Sequence, residues 1–316
     1  MDLELIVKQF AGVWVLIVGD LMLDKYIWGE VARISPEAPV QVVNVHRESW
    51  SLGGSANTAA NTGALGGRSV LVGVMGGDSS RQRLTKLLAA QRTDVSQVIA
   101  DENKPTTQKV RIIARNQQLL RFDYEDSGCL SQKDEARAIR AIDETIRAVQ
   151  VVVISDYAKG FVTPSLVDAV TDVAKSEGVP VLIDPKPGRD ASYHNATLLT
   201  PNSSEALQLA GMSADGDVVA AGHVADQARR DDAPYSHAGP RSLRCDRCRG
   251  YGNCSAGALP WSRGNTAKTQ LWSQITLQGK CVVTANSSFD LLHAGHVRFL
   301  EQAGVSVSHS GANSNR

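Results

Sequence analysis

The chain has 316 residues, 42% of them hydrophobic, so it can bury one large core or two modest ones. Lys plus Arg and Asp plus Glu balance at 33 each, and a net charge of zero gives no electrostatic support to a nucleic-acid or membrane-surface role. No run of about eighteen apolar residues is present, which excludes an ordinary transmembrane helix, and Met1–Phe10 lacks a signal-peptide pattern, so a cytoplasmic location is expected. The cysteines number 5, with Cys245, Cys248 and Cys254 crowded together, and this is no secreted disulfide framework.

In chain order, Val13–Gly19 is a continuous apolar run ending in Gly-Asp, and reads as a buried strand of a parallel sheet. Asp20 and Asp24 follow at its carboxyl end, where open α/β sheets bind ligands. Tyr26–Val45 contains Trp28-Gly29, Ser35-Pro36 and Pro39 between β-like flanks, and reads as short strands forming a flap. The stretch Ser51–Gly67 organises the rest. Gly53 and Gly54 allow a tight turn and close backbone approach, Ser55–Leu65 is small-residued and helix-compatible, and Gly66-Gly67 stops the helix. The unpaired N–H groups of such a helix opening, with Asn57 beside them, suit a polyhydroxylated or anionic small ligand. The same residues equally suit a tightly packed helix with a glycine entry and no ligand.

Val70–Val74 is a second strand and Ser80–Ala90 a helix. Thr106–Ala114 and Leu119–Tyr124 read as a hairpin turning at Arg115-Asn116-Gln117, which could join the flap. Asp134–Ala148 is an amphipathic helix, and Val151–Ser155 a strand closed by Asp156-Tyr157-Ala158-Lys159-Gly160. Thr163 caps the next helix, with Pro164 in its first turn. Val179–Ile183 is a strand ending in Asp184-Pro185-Lys186-Pro187, Thr197–Thr200 a short strand, and Pro201-Asn202-Ser203-Ser204-Glu205 opens a helix. Strand and helix alternate with polar residues at the strand ends, which predicts a doubly wound α/β fold with one added β flap.

The alternation fades around Val218–Arg230, and Asp231–Gln274 has almost no apolar periodicity. Cys245-Asp-Arg-Cys248 could be half a zinc site, but no second pair stands at sensible spacing; Cys254 and His237 are poor substitutes. A frameshift accounts better for this tract. Legal codons exist for Arg241–Cys254 that, read one nucleotide later, give Glu-Val-Tyr-Asp-Val-Thr-Gly-Ala-Gly-Asp-Thr-Val-Thr. Pattern returns near Lys280: Cys281-Val-Val-Thr-Ala reads as a strand and Phe289–Leu300 as loop and helix start. His293 and His296 flank Gly295 there; such imidazoles can bind and stabilise nucleotide phosphates, form a lone zinc pair, or simply be polar helix-start residues.

Ser51–Gly67 resembles the first signature of the ribokinase-like (PfkB) sugar kinases. Gly19–Tyr26, Arg33–Pro39, Ser155–Gly160, Ile183–Pro187 and Thr200–Glu205 look more narrowly like the heptose 7-phosphate kinase half of the bifunctional ADP-heptose-synthesis family. The second half of that family is a nucleotidyltransferase with His-x-Gly-His, and Phe289–Leu300 is similar to its opening.

The resemblance implies a ribokinase-like kinase domain over 1–225 with a small β lid, a garbled segment over 226–279, and the start of a Rossmann-like nucleotidyltransferase over 280–316. It implies ATP-dependent phosphorylation at C1 of a heptose 7-phosphate. Adenylyl transfer to the sugar 1-phosphate would follow, for lipopolysaccharide core synthesis. By matching position, Asp24, Gly53, Gly54 and Asn57 would hold the sugar, and Asn202 and Glu205 would position Mg²⁺ and ATP through water. The latter pair also suits a helix capping box, and matching family position favours the functional reading. Arg33 on the substrate side and Lys186 on the ATP side are phosphate-binding candidates on charge alone, and solvated surface charge fits them as well. His293 and His296 would serve adenylyl transfer. The family's Gly-Ala-Gly-Asp, whose Asp is the general base and whose amides form the anion hole, occurs nowhere in the chain. An impaired or inactive enzyme is therefore expected. A non-catalytic sugar-phosphate binder and a dimeric scaffold pairing through the lid are the competing readings.

Overall fold

The computed structural model describes residues 10–115, 117–187, 193, 195–230, 269–271, 275–277, 280–282 and 285–287. These fall into two compact units, the first running to Leu199 and the second beginning at Thr200.

The first unit is built on a six-stranded sheet. Its strands are β1 (Trp14–Gly19), β4 (Arg68–Val72), β6 (Thr93–Asp94), β10 (Val151–Ser155), β11 (Val181–Asp184) and β12 (Leu198–Leu199). Their order is β12-β11-β10-β1-β4-β6, all parallel. β1 sits inside, with Leu16, Ile17 and Val18 at 0% exposure. A strand covered on both faces needs an apolar run rather than alternation, and each such side chain contributes roughly 1.5–3 kcal/mol over an exposed one.

Helices cover the faces. Ala56 and Ala59 of α1 (Ser55–Ala64) and Leu84 and Leu88 of α2 (Ser79–Ala89) join Val15, Ile17 and Leu71 in one cluster. Small residues on α1 let its backbone approach the sheet. α3 (Gln132–Ile146) packs on β1, β4 and α4 (Pro164–Glu177). Thr163 caps α4 as its sequence predicts, accepting the Leu166 N–H at 3.1 Å, and Gly178 ends it at φ 69°.

The lid is a four-stranded sheet. β2 (Leu21–Ile34) and β3 (Gln41–Gly54) form a long antiparallel ribbon. β8 (Gln108–Ala114) lies parallel to β2, and β9 (Gln117–Tyr124) folds back antiparallel on β8. The hairpin therefore joins the flap. The flap strands, however, are much longer than the short pieces expected, and Ser51–Gly54 is strand to its last residue. Two further short strands, β5 (Val74–Gly76) and β7 (Ile99–Asp101), pair in parallel beside the lid's base.

The second unit opens with α5 (Ser203–Leu209) and α6 (Val218–Arg230), where Ala221 is buried against Ala206 and Leu207. The fading alternation before residue 230 is thus a helix. Farther on, β13 (Thr269–Leu271) pairs antiparallel with β16 (Ala285–Ser287), and β14 (Ile275–Leu277) with β15 (Lys280–Val282). The segment expected to be irregular to residue 279 therefore includes strand, and the strand expected at Cys281 is present. The tract 231–268, with its cysteines and the frameshifted phrase, and the pair His293 and His296 lie outside the described residues.

Candidate functional site

β1 delivers Asp20 at its carboxyl end, and the chain enters the lid at the next residue. Asp24 is consequently the fourth residue of β2. It lies on the lid, not at the end of β1 where the sequence pattern would place it. Its Oδ1 accepts a 2.7 Å bond from the Arg111 guanidinium on the neighbouring strand β8. Gly53 stands diagonally across the ribbon. A Cβ there would come within 2.9 Å of Asp24 Oδ2, so the glycine leaves room around the second carboxylate oxygen. Gly54 is held at φ 57°, and its missing Cβ would meet the Asp20 carbonyl oxygen at 2.4 Å. The Ser55 N–H donates to that same carbonyl at 3.0 Å, tying the start of α1 to the end of β1. Gly54 caps α1 without a side chain. The half-buried Asn57 in the first turn makes no side-chain hydrogen bond among the described residues, and the fully buried Ser55 Oγ has none either.

Asp20 is 2% exposed and organises the loop after β10. Its carboxylate accepts N–H groups from Tyr157 at 2.8 Å, Lys159 at 3.1 Å and Phe161 at 3.2 Å. Burial pushes its pKa above the usual carboxylate range, against those three N–H groups and the Lys159 charge. Ala158 at φ 54° and Gly160 at φ 91° bend the loop around it. Asp156 anchors the same loop from the other side: it accepts the Ala158 N–H at 2.7 Å and the Tyr193 hydroxyl at 3.0 Å. The Lys186 N–H donates to that tyrosine oxygen at 3.2 Å. The carboxyl ends of the adjacent strands β1, β10 and β11 are therefore one hydrogen-bonded rim, with Lys186 on it.

Across from the rim, the lid presents a charged row. Ser51, Asp24, Lys109 and Asp123 are register partners across β3, β2, β8 and β9, and Ser49, Tyr26, Arg111 and Arg121 form the next row. Arg121 grips Asp123 with two bonds, at 2.9 and 2.8 Å, which holds that carboxyl below its usual range. The Lys159 ammonium pairs with Glu125 at 2.7 Å, and the Lys109 ammonium lies 5.9 Å from the Tyr157 ring centre. A cavity of about 350 Å³ opens on the opposite face of the lid, lined by Lys25, Ile27, Val110, Phe122 and Tyr124. By strand parity it takes no part in the Asp24 site.

The structure thus brings together Asp24, Gly53, Gly54 and Asn57. Arg33 is exposed at the far end of β2, about 30 Å along the strand from Asp24 at ~3.3 Å per residue. Within one chain it does not join that group. Sequence reading missed Lys109, Arg111, Arg121, Tyr157 and Lys159. For Lys109 and Arg111 the signal was the alternation Lys109-Val110-Arg111, which puts both cations on one face of a strand.

In the second unit, Asn202 and Glu205 form the capping box of α5. The Asn202 N–H donates to Glu205 Oε2 and the Glu205 N–H to Asn202 Oδ1, both at 2.9 Å. Each residue gives one oxygen to the cap, and Glu205 is 6% exposed. Among the described residues no cluster of His, Cys, Asp or Glu could ligate a metal directly. The donor set here fits Mg²⁺–ATP only through water.

A family model described as pfkB family carbohydrate kinase matches residues 15–231. The bifunctional protein HldE of Caulobacter sp. (strain K31) is 44% identical over 214 residues, which is 68% of this chain and 43% of that protein. The HldE of Geobacter metallireducens is 40% identical over 228 residues, 72% and 44% of the respective lengths. The chain therefore spans less than half the length of these curated relatives. Among solved structures, the tetrameric inhibited form of phosphofructokinase-2 from Escherichia coli aligns with TM-score 0.54 at 18% identity, covering 69% of this chain and 71% of that one. Arabidopsis thaliana ribokinase, complexed with ribose and ATP, aligns with TM-score 0.50 at 19% identity, covering 69% of each chain. Among the described residues no helix is long and apolar enough to cross a membrane.

Proposed function

Because the chain belongs to the pfkB family of carbohydrate kinases, we propose that the Asp24 cleft is a sugar-phosphate site. Its ancestral reaction is ATP-dependent phosphorylation of D-glycero-D-manno-heptose 7-phosphate at C1. The heptose assignment is supported by the likeness to HldE proteins over two-thirds of the chain and by the motifs Arg33–Pro39 and Ile183–Pro187.

The observation that carries the reading is the Asp24–Gly53 pair. Arg111 fixes one oxygen of the carboxylate, and the absent Gly53 side chain leaves space beside the other. A carboxylate so held can accept two sugar hydroxyls without first reorganising, and Asn57 adds an amide from the first turn of α1. ATP, when bound, supplies the transferred phosphoryl group. Lys186 on the rim, and Asn202 and Glu205 with Mg²⁺ through water, would hold its phosphates.

Turnover is a different matter. Phosphoryl transfer needs a group to take the proton from the C1 hydroxyl and amides to receive the developing charge. The Gly-Ala-Gly-Asp phrase that serves both needs in the family is missing from this chain. A shifted reading frame through 241–254 accounts for its loss. In this form the protein binds sugar phosphate and turns it over poorly. Adenylyl transfer through His293 and His296, a product used in lipopolysaccharide core synthesis, a cytoplasmic location, and pairing of two copies through the lid complete the proposal.

Calorimetry with D-glycero-D-manno-heptose 7-phosphate, alongside a coupled ADP-release assay, tests it. Binding that vanishes in Asp24→Asn, with release depressed by at least about two orders of magnitude from ordinary kinase rates of ~1–100 per second, is the expected outcome. Ordinary kinase rates would overturn the impaired state, and no heat at millimolar ligand would overturn the sugar site itself.

A further inference from the structure

Among the described residues on the inner face of the lid, three cations around the cleft each hold a carboxylate. Arg111 holds Asp24 at 2.7 Å, Arg121 holds Asp123 at 2.8 Å, and Lys159 holds Glu125 at 2.7 Å. Lys109 lies in the middle of the row, between Asp24 and Asp123, and each of these carboxylates already holds an arginine, Asp24 through one oxygen and Asp123 through both. Among the described residues its ammonium makes no ion pair or hydrogen bond. It is half-buried and lies 5.9 Å from the centre of the Tyr157 ring. Burial holds its pKa below the usual lysine value. Asp24 and Asp123 oppose that shift, and Lys159 and Arg121 reinforce it. A half-buried cation left without an anion is costly unless something supplies one.

We infer that Lys109 is the anion-reading residue of this cleft, and that the ligand it selects is a sugar carrying a phosphate monoester. This rests on the sugar-site reading above and deepens it. The phosphate contact is placed on β8 beside Asp24, not on Arg33 at the far end of β2. One hydroxyl-binding carboxylate and one unpaired ammonium, adjacent on neighbouring strands, match a molecule bearing hydroxyls at one end and a dianion at the other. A neutral sugar would leave the ammonium as it is.

The test uses the full chain in thermal melts and calorimetry. The probes are inorganic phosphate, D-glycero-D-manno-heptose and its 7-phosphate, with the variants Lys109→Gln, Lys109→Arg and Asp24→Asn. Without ligand, Lys109→Gln melts at or above the parent temperature, because it removes an unpaired, partly buried charge. Inorganic phosphate raises the melting temperature of the parent and of Lys109→Arg, and leaves that of Lys109→Gln unchanged. The 7-phosphate binds the parent at least about tenfold more tightly than the free sugar, as a charge-assisted contact should. Lys109→Gln erases that ratio without weakening the free sugar, and Asp24→Asn weakens both.

If Lys109→Gln destabilises the unliganded protein, the lysine is structural and the inference falls. It also falls if Lys109→Gln binds the 7-phosphate as the parent does. If neither sugar binds while the phosphate response still depends on Lys109, the sugar reading falls and the anion site stands.

Discussion

A methyl group on Gly54 would stand 2.4 Å from the Asp20 carbonyl oxygen, on a backbone held at φ 57°. Both facts weigh on the same residue. The close approach leaves no room for a side chain, and the left-handed conformation disfavours one even where room exists. Gly54→Ala is expected to cost on the order of 2 kcal/mol or more, read as a lowered midpoint in urea denaturation. A change below about half a kcal/mol would mean that the entry to α1 is looser than the geometry indicates. Gly53 differs in kind, since its missing side chain faces a carboxylate and not backbone. The adjacent glycines therefore divide the work. One allows the chain to turn from strand into helix, and the other leaves space beside the Asp24 carboxylate.

At the scale of elements, the junction between α2 and β8 depends on Asp78. Its Oδ1 accepts the Arg81 N–H at 2.9 Å, capping the helix, and its Oδ2 accepts the Thr106 N–H at 2.8 Å, fixing the approach to the lid. Burial raises the carboxyl's pKa, but these N–H groups outweigh it and hold the group below the ordinary value of 3.8. The sign follows from linkage. A depressed folded pKa stabilises the fold above the unfolded value, and the contribution is lost as pH falls through the folded one. Asp78→Ala should cost about 1 kcal/mol at neutral pH and flatten the loss of stability between pH 5 and lower values. Melting temperatures of parent and variant across that range check it; parallel curves would refute the assignment.

The same scale shows what the sequence made legible. β1 and β10 announce themselves as apolar runs, because strands buried on both faces must be apolar throughout. Thr163-Pro164 marks the start of α4 by a side chain that can accept a free helix N–H and a residue that has no N–H to satisfy. The lid was harder. Gly53-Gly54 suggests a turn, yet strand continues to Gly54, because pairing with Leu21 and Met22 satisfies those residues and overrides local preference. Asp24 was misplaced for the same reason. Nothing local announces that one residue separates the core strand from the lid strand. The cations of the cleft come from β8, β9 and the loop after β10, distant in sequence, so only the fold brings them near Asp24.

At the scale of the molecule, the lid leaves apolar side chains uncovered. Ile34, Val45, Leu120 and Tyr124 are more than half exposed, and Phe122 lies between the last two along β9. Exposed apolar residues of this kind fit a contact with another protein surface, and a second copy of this chain is the proposed occupant. Sedimentation velocity should give a dimer at micromolar concentration, and Leu120→Asp with Tyr124→Ser should give a monomer that keeps its fold. A parent that sediments as a monomer throughout would remove the lid from consideration as a contact.

Asp20 alone separates β1 from β2, no residue separates β3 from α1, and the Ser55 N–H bonds the Asp20 carbonyl across the two junctions. The ribbon over the cleft therefore has no slack at its root. It is cantilevered from the buried end of β1. Any tilt of the ribbon against the sheet must therefore bend the strands themselves, and it displaces the far tip more than Asp24, near the root.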